Sequence, residues 1–528
     1  MAESVETAPS PSGLRTGRTA GIVGVVMVVV SVVGYLREAA LASRFGVSAT
    51  MDAYFGAIFI PNILYSILIA GTVSPILIRI LVQEEPDAEE TRTEAFSVVT
   101  TFSLLLLGLI ICLALPGAHL WLGWLFPGFS PATMDLAVQL VYIIFPAAIF
   151  LAGAGIVTAV LNGRHKFALA SFAPAFASIA VIVAVLFARG ARAIYVVGAA
   201  TAAGFLVQFL VLVPAAASVG IRYRPIFNFR HPVIARLLRL GIPLFLYLAV
   251  AGASSVMERN LASRLSAGAV STLSYALRLF TVPSNFMAAP LAIVAYPGFA
   301  REAARASRGE LGPQLSRLFR LVTFLFLPVT IWTVMNSLVV TRLLYEHGRF
   351  SVTDSVITAH VLAVYSVGIL PNAIAMVLLR CFFAVEDTIT PLLAEILALI
   401  SFVLAAPVLS RHFGLAGLVA ARAAAFFLVT GVLVYVLASR KALLALDWDL
   451  VKFLSRTLVA SIGMGVFSWL SLRVLIGIFN SGGNVVRLLL TMMLMAMSAA
   501  IYLLLARLLK LGEARQMWST ARALLPRW

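Results

Sequence analysis

The sequence predicts an all-α polytopic membrane protein of about 14 transmembrane helices, arranged as two six-helix lobes in pseudo-twofold repeat plus two C-terminal helices. Three observations predict it. Of 528 residues, 62% are hydrophobic and 12% charged, whereas a soluble domain carries about 25% charged residues. Apolar runs of about 20 residues, the length that crosses a bilayer, recur along the chain. A short motif near the start also returns 220 positions later, with its neighbours in the same order.

The opening residues, MAESVETAPSPSGLRTGR, are polar and rich in Ser, Pro and Thr, so residues 1–18 are expected to form a disordered cytoplasmic tail. No small-residue cleavage site follows the first apolar run, and further spans succeed it, so a retained helix is expected rather than a removed signal peptide. Breaks at Pro, Gly and charge clusters place helices near 19–44, 52–82, 95–126, 134–161, 168–188, 193–218, 234–263, 269–299, 314–343, 355–383, 389–410, 415–439, 451–478 and 484–509. The first six form an N-terminal lobe, 19–219, and a cytoplasmic linker, 220–233, follows it. The next six form a C-terminal lobe, 234–440, and residues 441–528 hold helices thirteen and fourteen with a cytoplasmic tail.

The repeat fixes how the lobes are related. Leu41-Ala42-Ser43-Arg44 recurs as Leu261-Ala262-Ser263-Arg264, with Glu38 and Glu258 at the same offset. Pro61 and Pro283 each fall inside the span that follows the motif, and Asn162 to Phe167 echoes Ala384 to Ile389 between the fourth and fifth spans of each half. An even number of helices separates the copies, so both halves enter the membrane in the same sense. They are then related by an axis along the membrane normal, as in transporters whose two bundles rock about a central cavity.

An even number of spans also puts both termini on one side. Most of the 39 Lys and Arg residues fall on that side, among them Arg15, Arg18, Arg230, Arg308 and Lys441, so the termini are expected in the cytoplasm. The acidic stretch Gln83 to Glu94 runs the other way, but acidic residues count for little in this rule. A net charge of +17 could attract nucleic acid; on so apolar a chain the arginines serve orientation, and membrane lipids are the expected surroundings.

Catalytic chemistry finds no support. Cys112 and Cys381 lie in apolar runs, six scattered histidines lack metal-ligand spacing, and no G-x-x-x-x-G-K-[ST] phosphate loop exists. A non-enzyme with no metal and no cofactor is expected.

Charges inside spans carry the functional signal. An Arg or Asp at a helix centre costs about 2.5–3.5 kcal/mol on insertion scales, so such a residue faces protein or a watery cavity. Arg37, Glu38, Asp52, Glu258, Arg259, Arg278, Arg380, Glu395 and Arg422 qualify. Arg44, Arg264 and Arg380, near helix ends, suit snorkelling to the headgroups. Arg37 and Arg278 lie deeper and suit the cavity. Glu395 and Arg422, on adjacent spans, are expected to pair with each other. Arginine holds phosphate through a planar fork that stays charged when desolvated, so the expected substrate is an anion bearing phosphate.

The stretch Gly34 to Leu64, GYLREAALASRFGVSATMDAYFGAIFIPNIL, resembles the first two helices of the MviN/MurJ family of lipid II flippases, within the multidrug/oligosaccharidyl-lipid/polysaccharide exporter superfamily. Gly34, Arg37, Glu38, Asp52, Ala53, Phe55, Pro61, Asn62 and Gly71 carry that likeness. SYALRLFTVPSN, Ser274 to Asn285, resembles the family's eighth helix, and FFAVEDTITP, Phe382 to Pro391, its turn between the tenth and eleventh. The resemblance implies a bacterial inner-membrane flippase for lipid II, acting in peptidoglycan synthesis, with cell-wall synthesis enzymes as expected partners. It implies that Arg37 and Arg278 meet the lipid diphosphate, that Asp52 stands near the gate, and that Pro61, Asn62 and Pro283 serve gating. Glu38 and Asp52 would pair with arginines in an empty cavity, and Arg44 and Arg259 would stand at its mouth.

Departures keep alternatives open. Where better-known members carry further arginines, this chain has Ser31 and Tyr65, and from Leu392 to Leu409 only Glu395 and Ser401 remain where the family has a polar sodium site. A flippase for another polyprenyl-linked saccharide, a small-molecule antiporter of the same superfamily and a non-transporting scaffold are the other readings.

Overall fold

The computed structural model describes residues 11–74, 77, 88–164, 166–190, 192–219, 223–288, 291, 299, 308–385, 387–440, 443–444, 447–481 and 483–514. Among these residues every regular element is helical, as lipid demands: a backbone in hydrocarbon must satisfy its own hydrogen bonds. In chain order the helices are α1 (Pro11–Phe45), α2 (Ala49–Leu64), α3 (Ala88–Ala114), α4 (Ala118–Leu125), α5 (Pro131–Ile144), α6 (Ala148–Gly163), α7 (Phe167–Phe172), α8 (Pro174–Phe187) and α9 (Ala193–Ser218). Then come α10 (Pro232–Ser263), α11 (Ala269–Pro283), α12 (Arg308–Tyr345), α13 (Val352–Ser366), α14 (Ile369–Ala384), α15 (Ile389–Tyr435), α16 (Trp448–Ser481) and α17 (Asn484–Leu508).

Ten helices among the described residues are long and apolar enough to cross a membrane, or twelve if two bent pairs each make one span. One of the ten, Ile389–Ser439, is broken by Gly414, whose φ of +59° only glycine adopts readily. That break divides the run into the eleventh and twelfth expected spans. The expected eighth span begins as α11, and its continuation lies outside the described residues. The arrangement is consistent with fourteen spans.

Local irregularities track the sequence. The expected third span is two helices, α3 and α4, parted where Pro116 and Gly117 interrupt the ladder. α13 and α14, within the expected tenth span, are bent by 44° at a short break. α1 begins at Pro11, so residues 11–18 of the expected disordered tail are helical, proline at a first helical turn being pre-organised there; residues 1–10 lie outside the described residues. Of the expected linker, residues 220–222 lie outside them as well.

The chain divides into two compact units, and their boundaries differ from the expected lobes. The first unit comprises Met1–Leu41, Gly56–Leu122 and Ala132–Phe245; the second comprises Ala42–Phe55, Gly123–Pro131 and Leu246–Trp528. Specific contacts explain the two early segments of the second unit. The backbone N–H of Arg349 donates to the Ser43 carbonyl at 2.7 Å, and Asn260 Nδ2 donates to the Trp124 carbonyl at 2.7 Å.

Within the first unit, α9 packs along α8 and α6, and α6 also meets α3 and α7. Its core sets small residues against larger ones, with Ala154, Ala170 and Ala173 beside Val157, Leu161 and Leu212. Small residues let helices approach closely where lipid supplies no hydrophobic drive. Within the second unit, α12 packs against α13, α14, α16 and α17, and α15 against α13 and α14. Buried polar bridges tie these helices: Asn336 Nδ2 donates to Ser468 Oγ at 2.9 Å, and the Tyr502 hydroxyl donates to the Phe324 carbonyl at 2.7 Å.

Candidate functional site

In the first unit, α1 carries Arg37 and Glu38 on consecutive positions, and their side chains form a guanidinium–carboxylate contact. Arg37 keeps 22% of its side chain accessible and Glu38 only 7%, so the carboxylate is the more deeply sunk of the two. The neighbouring carboxylate compensates the arginine's charge inside an apolar helix, and a guanidinium fork is a group that also suits phosphate oxygens.

In the second unit, Asp52 stands in the first turn of α2 and is 2% exposed. One of its oxygens accepts from the Gly268 N–H at 2.6 Å and the other from the Ser271 N–H at 2.7 Å. This corrects the expectation that Asp52 pairs with an arginine: its two acceptors hold the start of α11. The reason is local. The first N–H groups of a helix have no intrahelical partner and carry the positive end of the dipole, so they bind a carboxylate as well as a guanidinium would. Gly268 makes the approach possible, because its φ of +89° turns its N–H toward the aspartate. Below this contact, Tyr275 packs on Phe55, Tyr345 and Phe350 with ring centroids 5.0–5.6 Å apart.

The two prolines expected to serve gating occupy matching settings. Pro61 lies inside α2, which passes into a π-helix over Tyr65–Val73. Pro283 lies inside α11, which passes into a π-helix over Ser284–Ala288. Proline withdraws one N–H from the ladder, and the wider helical turn is one way the chain absorbs the loss. Asn62 is exposed, and its carbonyl accepts from Ser66 Oγ at 2.8 Å. Ser284 Oγ accepts from Asn372 Nδ2 at 3.1 Å.

The remaining candidate arginines belong to the second unit. Arg278 lies half-buried on α11, Arg44 half-buried in the last turn of α1, and Arg259 half-buried on α10, where its Nη1 donates to the Ser255 carbonyl at 3.4 Å. Glu395 and Arg422 are both 8% exposed on the two limbs of α15 and interact electrostatically. Glu258 joins them, a residue marked in the sequence as an intramembrane charge but without a partner there.

Sequence reasoning missed the amides of Gly268 and Ser271, which no side-chain pattern announces. It also missed Tyr365, whose hydroxyl donates to Glu258 at 3.4 Å. Among the described residues no three His, Cys, Asp or Glu side chains gather as metal ligands.

Comparison with known proteins bears on this arrangement. The family model described as "Lipid II flippase MurJ" matches residues 41–479. The lipid II flippase MurJ of Burkholderia cenocepacia is 30% identical over 402 residues, covering 73% of this chain and 77% of that protein. The probable lipid II flippase MurJ of Vibrio cholerae is 26% identical over 502 residues, covering 87% and 96%. Among solved structures, one of a lipid II flippase MurJ in an inward closed conformation superposes with a TM-score of 0.78 at 20% identity, covering 92% of this chain and 98% of that one. An inward-facing multidrug resistance transporter of the MATE family, in the MOP superfamily, superposes with a TM-score of 0.63 at 16% identity, so the fold is shared beyond one substrate class.

Proposed function

The chain belongs to the lipid II flippase family MurJ, and from that membership we propose that it moves lipid II across the bacterial cytoplasmic membrane by alternating access, with Arg37 and Arg278 receiving the diphosphate. The family is one of transporters, and the multi-pass architecture suits the inner membrane. Both termini lie in the cytoplasm in this reading, supported by the distribution of Lys and Arg.

The observation that carries the proposal is the charge pair of Arg37 and Glu38 inside a membrane span. The pairing with a buried carboxylate is a holding state: an arriving diphosphate replaces one anionic partner by a better one, since the fork of arginine meets two phosphate oxygens at once. Arg278, half-buried in the other unit, supplies the same chemistry from the second half of the repeat. Arg44 and Arg259 add positive charge along the approach. The grip of Asp52 on α11 must be released when the transporter opens at that end, and the proline-bearing helices α2 and α11 are the elements that bend. Enzymes that polymerise the delivered precursor are the protein partners this role implies.

The test is replacement of the essential lipid II flippase in a depleted bacterial strain, with lipid II measured on the outer face. Its appearance there is the expected result. A well-expressed, correctly inserted protein that delivers none would reject lipid II as the cargo.

One feature favours a second reading, a flippase for another polyprenyl-linked saccharide. At the position where better-known relatives carry a further arginine, Tyr65 opens the π-helix of α2 and its ring lies against Gly155 of α6, where a Cβ would come within 2.6 Å of it. An apolar contact thus replaces a phosphate-binding charge, and a different head group would be the consequence.

A further inference from the structure

A group of charges deep in the second unit, Arg259 apart, takes no part in the transport step just described. Glu258 of α10 is 1% exposed, while Glu395 and Arg422 of α15 are each 8% exposed. Arg422 interacts electrostatically with both carboxylates. Its guanidinium carbon lies 4.7 Å from the ring centroid of Phe426 and 5.8 Å from that of Phe402, so aromatic faces hold it in place. Tyr365 of α13 donates to Glu258, and Tyr247 of α10 interacts with Glu395. Arg259 interacts with Glu258 and Arg380, exposed, with Tyr247.

Buried carboxylates in an apolar bundle stay ionised only with compensating positive charge. In a transporter that charge comes either from a mobile cation, which then couples its own gradient to the cycle, or from a fixed side chain. Here the two carboxylates, Glu258 and Glu395, are matched by two guanidinium groups, Arg422 and Arg259. A bound monovalent cation would add a positive charge with no partner, in a place where unpaired charge is costly. We propose that Arg422 is a built-in counter-ion occupying the role of a coupling cation, so that the second unit keeps its structure and cycles without taking up Na+ or K+ between α10 and α15. Arg422 acts here as a positioning residue, and the proposal holds whichever lipid is carried.

The experiment compares melting of the purified full-length protein in NaCl, in KCl and in N-methylglucamine chloride at equal ionic strength. The native protein should melt at the same temperature in all three. Arg422→Met leaves two carboxylates against one guanidinium, so its melting temperature should drop in N-methylglucamine chloride and recover by a few degrees in NaCl or KCl as the small cation fills the gap. Arg422→Lys, which keeps the charge, should remain indifferent to the salt. Arg422→Met combined with Glu395→Gln restores the balance and should regain both expression and indifference, which keeps the test decisive if the single variant does not fold. A native protein stabilised by NaCl or KCl over the organic cation would overturn the proposal. So would equal losses for Arg422→Met in all three salts with no rescue by Glu395→Gln, the outcome of a purely aromatic anchor.

Discussion

Arg37 spends one face of its guanidinium on Glu38 and keeps 22% of its side chain accessible, so its loss should be felt in transport before it is felt in folding. Arg37→Ala and Arg278→Ala should abolish complementation of a flippase-depleted strain at normal membrane levels. Lysine should rescue either position poorly, because an ammonium is a point charge without the fork. Full activity of an alanine variant, read as growth and as lipid II on the outer face, would remove that residue from the site. Asp52 makes a different prediction. Its two bonds to the α11 amides are charge-assisted, each worth about 1.5–3 kcal/mol. Asp52→Asn retains one acceptor and presents an amino group to the other N–H. Thermal melting should show a loss of that order, with transport reduced because α11 loses its anchor on Asp52. An unchanged melting temperature would mean that water replaces the carboxylate without cost.

At the scale of elements, the proline and π-helix pairs in α2 and α11 give a testable contrast. Proline inside a helix costs about 3 kcal/mol relative to alanine. Pro61→Ala and Pro283→Ala should therefore raise the melting temperature while slowing transport, if bending at these helices limits the cycle. Variants that are both more stable and equally fast would separate the prolines from gating. Gly414→Ala should do the opposite, destabilising the protein by roughly 1–2 kcal/mol because its left-handed backbone would then carry a Cβ. The positions of Pro61 and Pro283 were legible in the sequence, since an imino acid within an apolar run is visible from composition. The π-helical turns were not, because which carbonyl an N–H chooses depends on packing around it. The division of α15 was legible from Gly414, where the backbone leaves helical geometry.

For the whole molecule, topology is the accessible quantity. Reporter fusions after Arg230, Arg308 and Lys441 should report the cytoplasm, and one near Gly128 the outside; two reversed signals would discard the fourteen-span map. The spans themselves were readable because lipid imposes one rule on every residue in turn, and 62% apolar content leaves little room for another answer. The membership of Ala42–Phe55 and Gly123–Pro131 in the second unit was not readable. It depends on contacts such as Asp52 with Gly268, 216 positions apart, and Asn260 with Trp124, 136 apart, which no local pattern encodes. The same distance hid the partners of Asp52, whereas the neighbour relation of Arg37 and Glu38 was plain in the sequence.

The π-helix over Tyr65–Val73 has a further consequence for how the chain tolerates change in length. In a regular α-helix, removing one residue rotates everything beyond it by roughly 100°, turning a protein-facing stripe toward lipid. A π-helical turn already accommodates an extra residue, so a single deletion within Tyr65–Val73 can tighten the turn to α geometry and leave the faces beyond it in register. The same deletion in α6, which has no such slack, would turn Ala154 and Leu161 out of the core they now share. Insertion and deletion scanning along α2 should find its most permissive window at that stretch, a mechanical tolerance lodged in the segment that the transport cycle asks to bend.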